Sequence, residues 1–346
     1  MKKKEFEDIF ARSFGDSAEW QRWFFSNVVE DNLVMLGDEI NGKSASALLM
    51  QPYDFLYAAS VVPSMYISCV ATRPEARARG AATSLMAQAL NAAREKGAAL
   101  CELIPADDHL YFFYDRLGFA TVFYEDRMHF TAAHSFEGGR GEEIKPDAEL
   151  LAGLERKFGC GILHSSADYK NILGDMAVDG NANVIAVADG DNKALLFATA
   201  TRSNVNVKLL LADTQAVATQ ALHFLRQREP EKTFVVSTPP LSGEKCFMRP
   251  RGMGRIVNPQ IMLQSLAAAH PTLEYSISVH DDIISENNGV YIIGGGNCLR
   301  QPELEKDKPD LELDIATLTA LLFSSHAAGN IFSLPARRPF MALMLD

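Results

Sequence analysis

The chain has 346 residues, of which 47% are hydrophobic and 22% charged, and its formal net charge is -11. This length suits two or three domains, and the apolar fraction is too high for a disordered protein. The acidic charge disfavours binding to nucleic acid or to an anionic membrane, and it suits a cationic small-molecule partner.

The first residues resemble the basic start of a signal peptide, but Glu5, Glu7 and Asp8 stand where an apolar run should follow. No later apolar run is long enough to span a bilayer. The five cysteines are scattered and never spaced as C-x-x-C, which disfavours a disulfide framework or a zinc site. We therefore expect a cytoplasmic protein without a metal.

The N-terminal region shows helical spacing of its aromatic residues in Trp20, Trp23 and Phe24. Aromatic residues at this spacing form a buried helix face more often than a binding site. Both roles stay open at this point.

A strand, a basic loop and a helix follow one another from Met65 to Gly97. Residues 65–72 are apolar and predict a buried strand, and an amphipathic helix begins after the loop. The first N–H groups of a helix lack an internal partner, and the helix dipole favours negative charge there. Positive charge and small side chains that admit a ligand come from Arg77, Arg79, Gly80, Ala81 and Ala82. The pattern predicts a pyrophosphate site, with solvated loop charges as the alternative.

A second apolar strand is predicted from Ala98 to Ile104, followed by a short helix that Asp107 or Asp108 begins. This helix contains Tyr114 and ends near Gly118. A strand, helix and strand in this order imply a parallel pair with a right-handed crossover.

The stretch Glu137–Gly141 has no apolar periodicity and predicts a linker. A hairpin signal, Asp189-Gly190-Asp191-Asn192, joins the first two strands of the next region. The predicted strands and helix of this region are residues 184–188, 194–199, 205–211, 214–227 and 233–237.

A second boundary is predicted in the proline- and glycine-rich stretch from Pro239 to Gly254, before a helix that begins at Asn258 and Pro259. Gly294-Gly295-Gly296 precedes no convincing helix and predicts a hairpin or loop. The other extended and helical segments predicted here are residues 273–279, 289–293, 311–313 and 315–324.

These motifs resemble those of the GNAT acetyltransferase superfamily. Arg77-x-x-Gly80-x-Ala82 is similar to its coenzyme A pyrophosphate motif, and Phe113–Phe119 is similar to its tyrosine-bearing helix and following glycine. The whole layout resembles that of the enhanced-intracellular-survival-like acetyltransferases, which carry a C-terminal sterol-carrier-protein-like domain.

The resemblance implies an α/β (α+β) fold in three parts. Residues 1–136 would form a GNAT domain with a mixed, splayed sheet, 142–250 a degenerate GNAT-like domain, and 254–346 a small sterol-carrier-protein-2-like α/β domain. The middle part passes from Leu211 into its helix without an Arg-x-x-Gly-x-Ala loop, so it should not bind coenzyme A. The residues expected to bind acetyl-coenzyme A are Cys69, Val70, Ala71, Thr72, Arg77, Ala78, Arg79, Gly80, Ala81, Ala82 and Thr83.

The implied reaction is direct transfer of an acetyl group from acetyl-coenzyme A to a primary amine of a cationic small molecule or a lysine side chain. Tyr114 is the predicted proton donor, because a phenol of pKa about 10 can protonate a thiolate of pKa about 8.5. Its alternatives are core packing of the ring and a rival donor, Tyr111. The resemblance also implies that the terminal carboxylate is the general base, which makes Asp346 the predicted base. Ordinary packing of the chain end is the alternative for Asp346, and Glu102 and His109 are alternative bases acting through a water.

The backbone N–H of Val70 or Ala71 is the predicted oxyanion donor. In the family the N-terminal helices border the acceptor cleft, and several copies often assemble, so a homo-oligomer is possible. A non-catalytic protein that senses acetyl-coenzyme A, or that holds an apolar ligand in its C-terminal unit, is the competing hypothesis.

Overall fold

A computed structural model of the chain describes residues 2–40, 42–178, 180–239, 248–302, 308–323 and 338–345. Its helices are α1 Lys2–Ala11, α2 Ala18–Asn27, α3 Ala81–Glu95, α4 Asp108–Asp115, α5 Ala148–Phe158, α6 Ser166–Val178, α7 Gln215–Arg228, α8 Pro259–Ala269 and α9 Ile315–Leu322. Its first strands are β1 Val34–Leu36, β2 Glu39–Ile40, β3 Lys43–Ser44, β4 Ser46–Tyr57, β5 Ser60–Thr72, β6 Leu100–Leu103, β7 Ala120–Phe130, β8 Glu142–Ile144 and β9 Gly161–Leu163. The remaining strands are β10 Ala182–Asp189, β11 Asn192–Ala200, β12 Asn204–Ala212, β13 Thr233–Thr238, β14 Met248–Ile256, β15 Tyr275–His280, β16 Gly289–Gly294, β17 Asn297–Gln301 and β18 Leu311–Asp314.

Helix α3 forms because its apolar residues recur every three or four positions and cover one face. These residues are fully buried against β4 and β5: Leu85, Met86, Ala89, Leu90 and Ala93. Gly80, at φ 81°, begins the helix, and Gly97, at φ 86°, follows its end. Both backbone conformations favour glycine, which explains the sharp start and stop that the sequence predicts.

One mixed sheet runs through most of the described chain, in the order β1-β4-β5-β6-β14-β7-β13-β12-β11-β10-β8, and β9 pairs with β4. We call β1, β4–β7 and β14 its first half, and β8 with β10–β13 its second half. The two halves meet where β7 pairs with β13. In each half, one parallel pair is joined through a helix: β5 with β6 through α3, and β12 with β13 through α7.

Strand β14 corrects the interpretation of residues 239–254 as an irregular boundary stretch. From Met248 onward the chain is a strand, inserted between β6 and β7 of the first half. Its register shifts on both sides of Gly252, next to Pro250, and such bulges accommodate proline and glycine in a strand. The division into residues 1–136, 142–250 and 254–346 stays a prediction. Strand β14 contains both residue 250, where the second predicted domain ends, and residue 254, where the third begins.

The C-terminal strands form a separate sheet in the order β17-β16-β15-β18, covered by α8 and α9. Gly295 and Gly296, both at positive φ, make the two-residue turn between β16 and β17, which confirms the predicted hairpin. This unit shares one buried cluster with the first half of the main sheet, where the rings of Phe55 and Phe323 meet at 5.8 Å.

A buried ion pair links the C-terminal unit to β14. The guanidinium of Arg255 donates to Asp281 at 2.7 Å, and both side chains are almost fully buried. The Arg255 Nε also donates to the carbonyl of Leu117 at 2.7 Å, at the end of α4. A side chain on Gly118 would collide with Arg255 and Ile315, so this packing requires the glycine. None of the described helices is both long and apolar enough to cross a membrane.

The C-terminal segment 338–345 passes between the two halves of the main sheet. Phe340, Met341 and Leu345 are buried. Phe340 donates its N–H to the carbonyl of Cys160 at 3.2 Å, and the Arg251 Nε donates to the carbonyl of Met341 at 2.8 Å. Phe340 shares a buried cluster with β11 and β12 of the second half, and Met341 shares one with β7 of the first, so the chain end packs against both halves.

Candidate active site

The two parallel strands of the first half separate after three paired positions. Strand β5 pairs with β6 only from Ser64 to Tyr66, opposite Leu100 to Glu102. Beyond Tyr66, β5 continues to Thr72 while β6 ends at Leu103. One edge of β5 therefore has no strand partner from Ile67 onward, and its backbone groups are available to a ligand.

A β-bulge lies on the same stretch of β5. Ala47 pairs with Ala71 and Leu49 with Ser68, so Cys69 and Val70 stand opposite a single residue of β4. Cys69 has φ 53°, a left-handed conformation that is uncommon outside glycine. The splayed sheet that the resemblance implies is present, and the bulge beside it lies among the residues expected to bind acetyl-coenzyme A.

The loop after β5 leads directly to the start of α3. Ala78 and Gly80 both have positive φ, at 58° and 81°. The N–H groups of Ala81, Ala82 and Thr83 are the first of the helix and have no intrahelical acceptor. Arg77 and Arg79 are exposed beside them, and the Arg77 Nε donates to the carbonyl of Thr72 at 3.2 Å. The geometry fits an anionic diphosphate, because free donors and two cations meet at a helix N-terminus.

Replacing Gly80 with alanine is expected to weaken acetyl-coenzyme A binding at least tenfold. The methyl group meets no protein atom within 4 Å, so it enters the open space in front of the loop, where the ligand has to approach the backbone. Gly97→Ala is the matched control, because Gly97 has φ 86° and equally open surroundings at the other end of α3. Isothermal titration compares the two variants, and equal affinities would remove Gly80 from the binding site.

Tyr114 lies on the α3 side of the sheet, next to the splay. Its ring is buried at 6% exposure in the cluster that contains Ile67 and Leu103, and it contacts Phe119 edge to face at 5.8 Å. Its hydroxyl makes no hydrogen bond within the described residues. Burial raises the pKa of Tyr114 to about 12, which keeps the phenol protonated at neutral pH.

Glu102 stands at the last paired position before the splay, opposite Tyr66. Its neighbours Cys101 and Leu103 face α3, so the alternation of a strand directs Glu102 to the other side of the sheet. The side chain is fully buried, and neither carboxyl oxygen has a hydrogen-bond partner among the described residues. Burial raises the pKa of Glu102 to about 8, and the nearby hydroxyl of Ser64 offsets only part of this rise.

The remaining candidates for proton transfer differ in position. His109 is exposed at the start of α4. Tyr111 is half-buried, and burial, followed by the charge of Asp108, raises its pKa to about 12. Asp346 lies outside the described residues. Its neighbour Leu345 belongs to the same buried cluster as Cys69 and Ala71 of the bulge.

A cavity of about 540 Å³ opens on the side of the sheet that Glu102 faces, between the two halves. Trp20 lines it, positioned by Ser17, which caps α2 by accepting the N–H of Trp20 at 3.1 Å. Of the other aromatic residues of α2, Phe24 is buried and Trp23 packs against Gly174. Trp20 is thus the member of the predicted aromatic stripe that reaches a binding surface.

Sequence reasoning missed the charged floor of this cavity. The floor is made by alternate residues of adjacent strands: Glu125, Arg127, Asn206, Lys208, Val235 and Ser237. The alternation is visible in each strand separately, but the pairing of β7 with β13 that unites them is not visible locally. No cluster of three or more His, Cys, Asp or Glu side chains suited to a metal ion occurs in the described part of the chain.

Residues 2–122 match the family model of the acetyltransferase (GNAT) domain, and residues 262–331 match that of the sterol carrier protein domain. No curated protein matches the chain significantly. The described structure nevertheless agrees with the predicted fold class, a mixed α/β architecture with a splayed sheet.

Solved structures extend the likeness over nearly the whole chain. A GCN5-related N-acetyltransferase from Kribbella flavida is 20% identical, with a TM-score of 0.71 over 92% of this chain and 85% of that one. A GCN5-related N-acetyltransferase from Anabaena variabilis is 19% identical, with a TM-score of 0.70 over 93% and 86% of the two chains. Eis1 from Mycobacterium abscessus is 14% identical, with a TM-score of 0.66 over 93% and 87%. These structures share the fold of this chain.

Proposed function

We propose that this chain, a GNAT-type acyltransferase with a C-terminal sterol carrier protein domain, transfers an acetyl group from acetyl-coenzyme A to a primary amine. The observation that carries the proposal is the meeting of the unpaired edge of β5 with the free N-terminus of α3. One element can hold the thioester end of the ligand, and the other its diphosphate. The two lie at opposite ends of a single short loop.

The residues proposed to hold acetyl-coenzyme A are those that the sequence predicts. Backbone groups of residues 69–72 would bind the thioester arm, and residues 77–83 the diphosphate. The N–H of Val70 or Ala71 would donate to the developing oxyanion. Bound acetyl-coenzyme A supplies the activated acetyl group, and the rest of the chemistry is positioning and proton transfer.

In the transfer, a bond forms between the amine nitrogen and the acetyl carbon while the carbon–sulfur bond breaks. The amine gives up a proton, and the departing thiolate takes one. Tyr114 is the proposed donor to the thiolate, because its phenol is protonated at neutral pH and its ring lies next to the splay. Glu102 or Asp346 is the proposed acceptor. Tyr114 and Glu102 flank the splay from opposite sides of the sheet, which suits separate acid and base roles.

Release of free coenzyme A tests this function. The enzyme is mixed with acetyl-coenzyme A and a panel of aminoglycosides, polyamines, diamino acids and lysine peptides, and a thiol reagent follows the product. Turnover that depends on an added amine supports the proposal. Tight binding of acetyl-coenzyme A with no turnover on any amine would contradict it and favour a sensor.

Glu102 gives this activity an expected pH dependence. A general base acts only when ionised, so the pH profile of kcat/KM should contain a rise near 8, the raised pKa of the carboxyl group, besides the rise that ionisation of the acceptor amine produces at higher pH. Glu102→Gln should remove the component near 8, keep the component due to the amine, and lower kcat/KM roughly 100-fold. Glu95→Gln, an exposed glutamate on α3, is the control. An unaltered pH profile in Glu102→Gln would assign the base to another group, with Asp346 the first to test.

The raised pKa of Glu102 should also make the free energy of unfolding depend on pH. In the unfolded chain the carboxyl group ionises near its ordinary pKa of 4.5, whereas in the folded protein it stays protonated up to about 8. The unfolded state therefore binds fewer protons between these values, and the free energy of unfolding falls as pH rises through this window. Chemical denaturation should show a smaller fall in Glu102→Gln, which serves as a readout independent of turnover.

A further inference from the structure

The cavity between the two halves of the sheet is lined by charged residues of both signs, whereas a site for a polycation needs only acidic ones. Its acidic residues are Asp16, Glu125 and Asp175, and its basic residues are Arg127, Lys208 and Arg251. The two sets balance in number, although the chain as a whole carries a net charge of -11. The charge of the cavity therefore differs from that of the rest of the protein.

Two of the acidic residues are already neutralised within the protein. Glu125 pairs with Arg251 at 2.8 Å. Asp175 accepts a hydrogen bond from the Trp20 Nε1 at 2.7 Å and lies 3.4 Å from the Lys208 Nζ. These carboxylates have their partners and offer little to an added ammonium group.

Arg127 is an exposed cation on the cavity floor. It lies on β7 opposite Ser237 of β13, and it makes no ion pair or side-chain hydrogen bond with any described residue. Asp16, an exposed residue at the rim before α2, is its acidic counterpart and also has no side-chain partner in the described residues. A free guanidinium presents a planar set of donors that matches a carboxylate.

The cavity adjoins the place where acetyl transfer is proposed. Trp20 and Leu345 line it, and both belong to the buried cluster that contains Cys69 and Ala71 of the β5 bulge. If the amine reaches the splayed edge of β5 from this side, the rest of the acceptor would extend into the cavity, whose floor carries Arg127.

We propose that the acceptor carries a carboxylate in addition to its amine, as a diamino acid or a short peptide with a free C-terminus does, and that Arg127 binds this carboxylate. The inference rests on the proposed acetyltransferase function and narrows its acceptor. A carboxylate on the same carbon chain can accept two parallel hydrogen bonds from the guanidinium of Arg127, whereas a polyamine, which has only cationic groups, makes no such bond.

Lysine and cadaverine test the proposal as a matched pair, because cadaverine is lysine without its carboxylate. Steady-state release of coenzyme A should give a kcat/KM for lysine at least tenfold above that for cadaverine. Arg127→Gln should lower the value for lysine by roughly 10- to 100-fold, the loss expected for one charge-assisted bond, and should not lower that for cadaverine, which has no carboxylate for Arg127 to bind. Arg127→Lys should restore part of the preference, because it keeps the charge.

Arg140→Gln is the control, since Arg140 is an exposed arginine in the linker away from the cavity. Turnover of cadaverine as fast as lysine, with Arg127→Gln changing neither, would overturn this inference and leave the acetyltransferase standing. Absence of turnover with every amine of the wider panel would overturn both. Retained binding of acetyl-coenzyme A in Arg127→Gln, measured by titration, shows that the variant is folded and competent.

Discussion

Replacing Tyr114 with phenylalanine is expected to lower kcat about 100-fold or more and to leave the dissociation constant of acetyl-coenzyme A within about twofold. The variant keeps the buried ring and its contact with Phe119, so the cluster on the α3 side of the sheet stays filled. It loses only the hydroxyl, which makes no hydrogen bond within the described residues. Loss of the proposed proton donor should therefore slow the transfer step and leave the binding of acetyl-coenzyme A unchanged.

Tyr111→Phe is the matched control, because Tyr111 lies on the same helix and carries a pKa raised by burial to a similar value of about 12. Stopped-flow or steady-state release of coenzyme A measures kcat, and titration measures affinity. Equal activity in Tyr114→Phe and the wild type would reduce Tyr114 to a core aromatic. A large loss in Tyr111→Phe instead would transfer the role to that residue.

Arg255→Met is expected to lower the free energy of unfolding by about 3–5 kcal/mol, because it leaves the carboxylate of Asp281 buried without its counter-ion. Three other donors still contact Asp281, including the Asn287 Nδ2 at 2.8 Å, but none carries a charge. Arg228→Met removes an exposed pair with Glu143 and should cost less than about 1 kcal/mol. Urea unfolding compares the two variants.

The double variant Arg255→Met, Asp281→Asn separates the cost of the unpaired charge from that of lost packing. The asparagine removes the buried charge and keeps an acceptor oxygen for the donors that contact Asp281, so the double variant should recover part of the lost stability. If Arg255→Met lowers the free energy of unfolding no more than Arg228→Met does, the buried pair contributes no more to stability than an exposed pair.

The binding loop was predictable from the sequence because its signals are local. A buried strand, Gly80 and an amphipathic helix stand next to one another, and each is visible within a few residues. The same holds for the hairpin at Gly190 and for the start of α8 at Pro259. Each of these depends on periodicity or on the backbone preference of a single residue, and neither needs knowledge of distant parts of the chain.

The parts that were not predictable depend on pairing between distant residues. Pro250 and Gly252 of β14 are residue types typical of a linker. The need for glycine at position 252 is explained only by its neighbours in space, because a side chain there would collide with Met341 and with the carbonyl of Leu103. Arg127 gives no local signal of function either, since it gains its surroundings when β7 pairs with β13. Buried Glu102 was one alternative among several until the structure showed it without partners at the splay.

Because β14 lies between β6 and β7, the first half of the sheet can be completed only late in synthesis. Chains are synthesised at roughly 5–20 residues per second, and N-terminal domains commonly fold before the rest has emerged. Here the edges of β6 and β7 stay open until Met248–Ile256 has left the exit tunnel, long after the loop at Gly80. The nascent chain thus carries two unprotected strand edges for many seconds, and open edges invite aggregation. The enzyme should therefore depend on chaperones during synthesis, and a fragment that stops before β14 should be found in inclusion bodies.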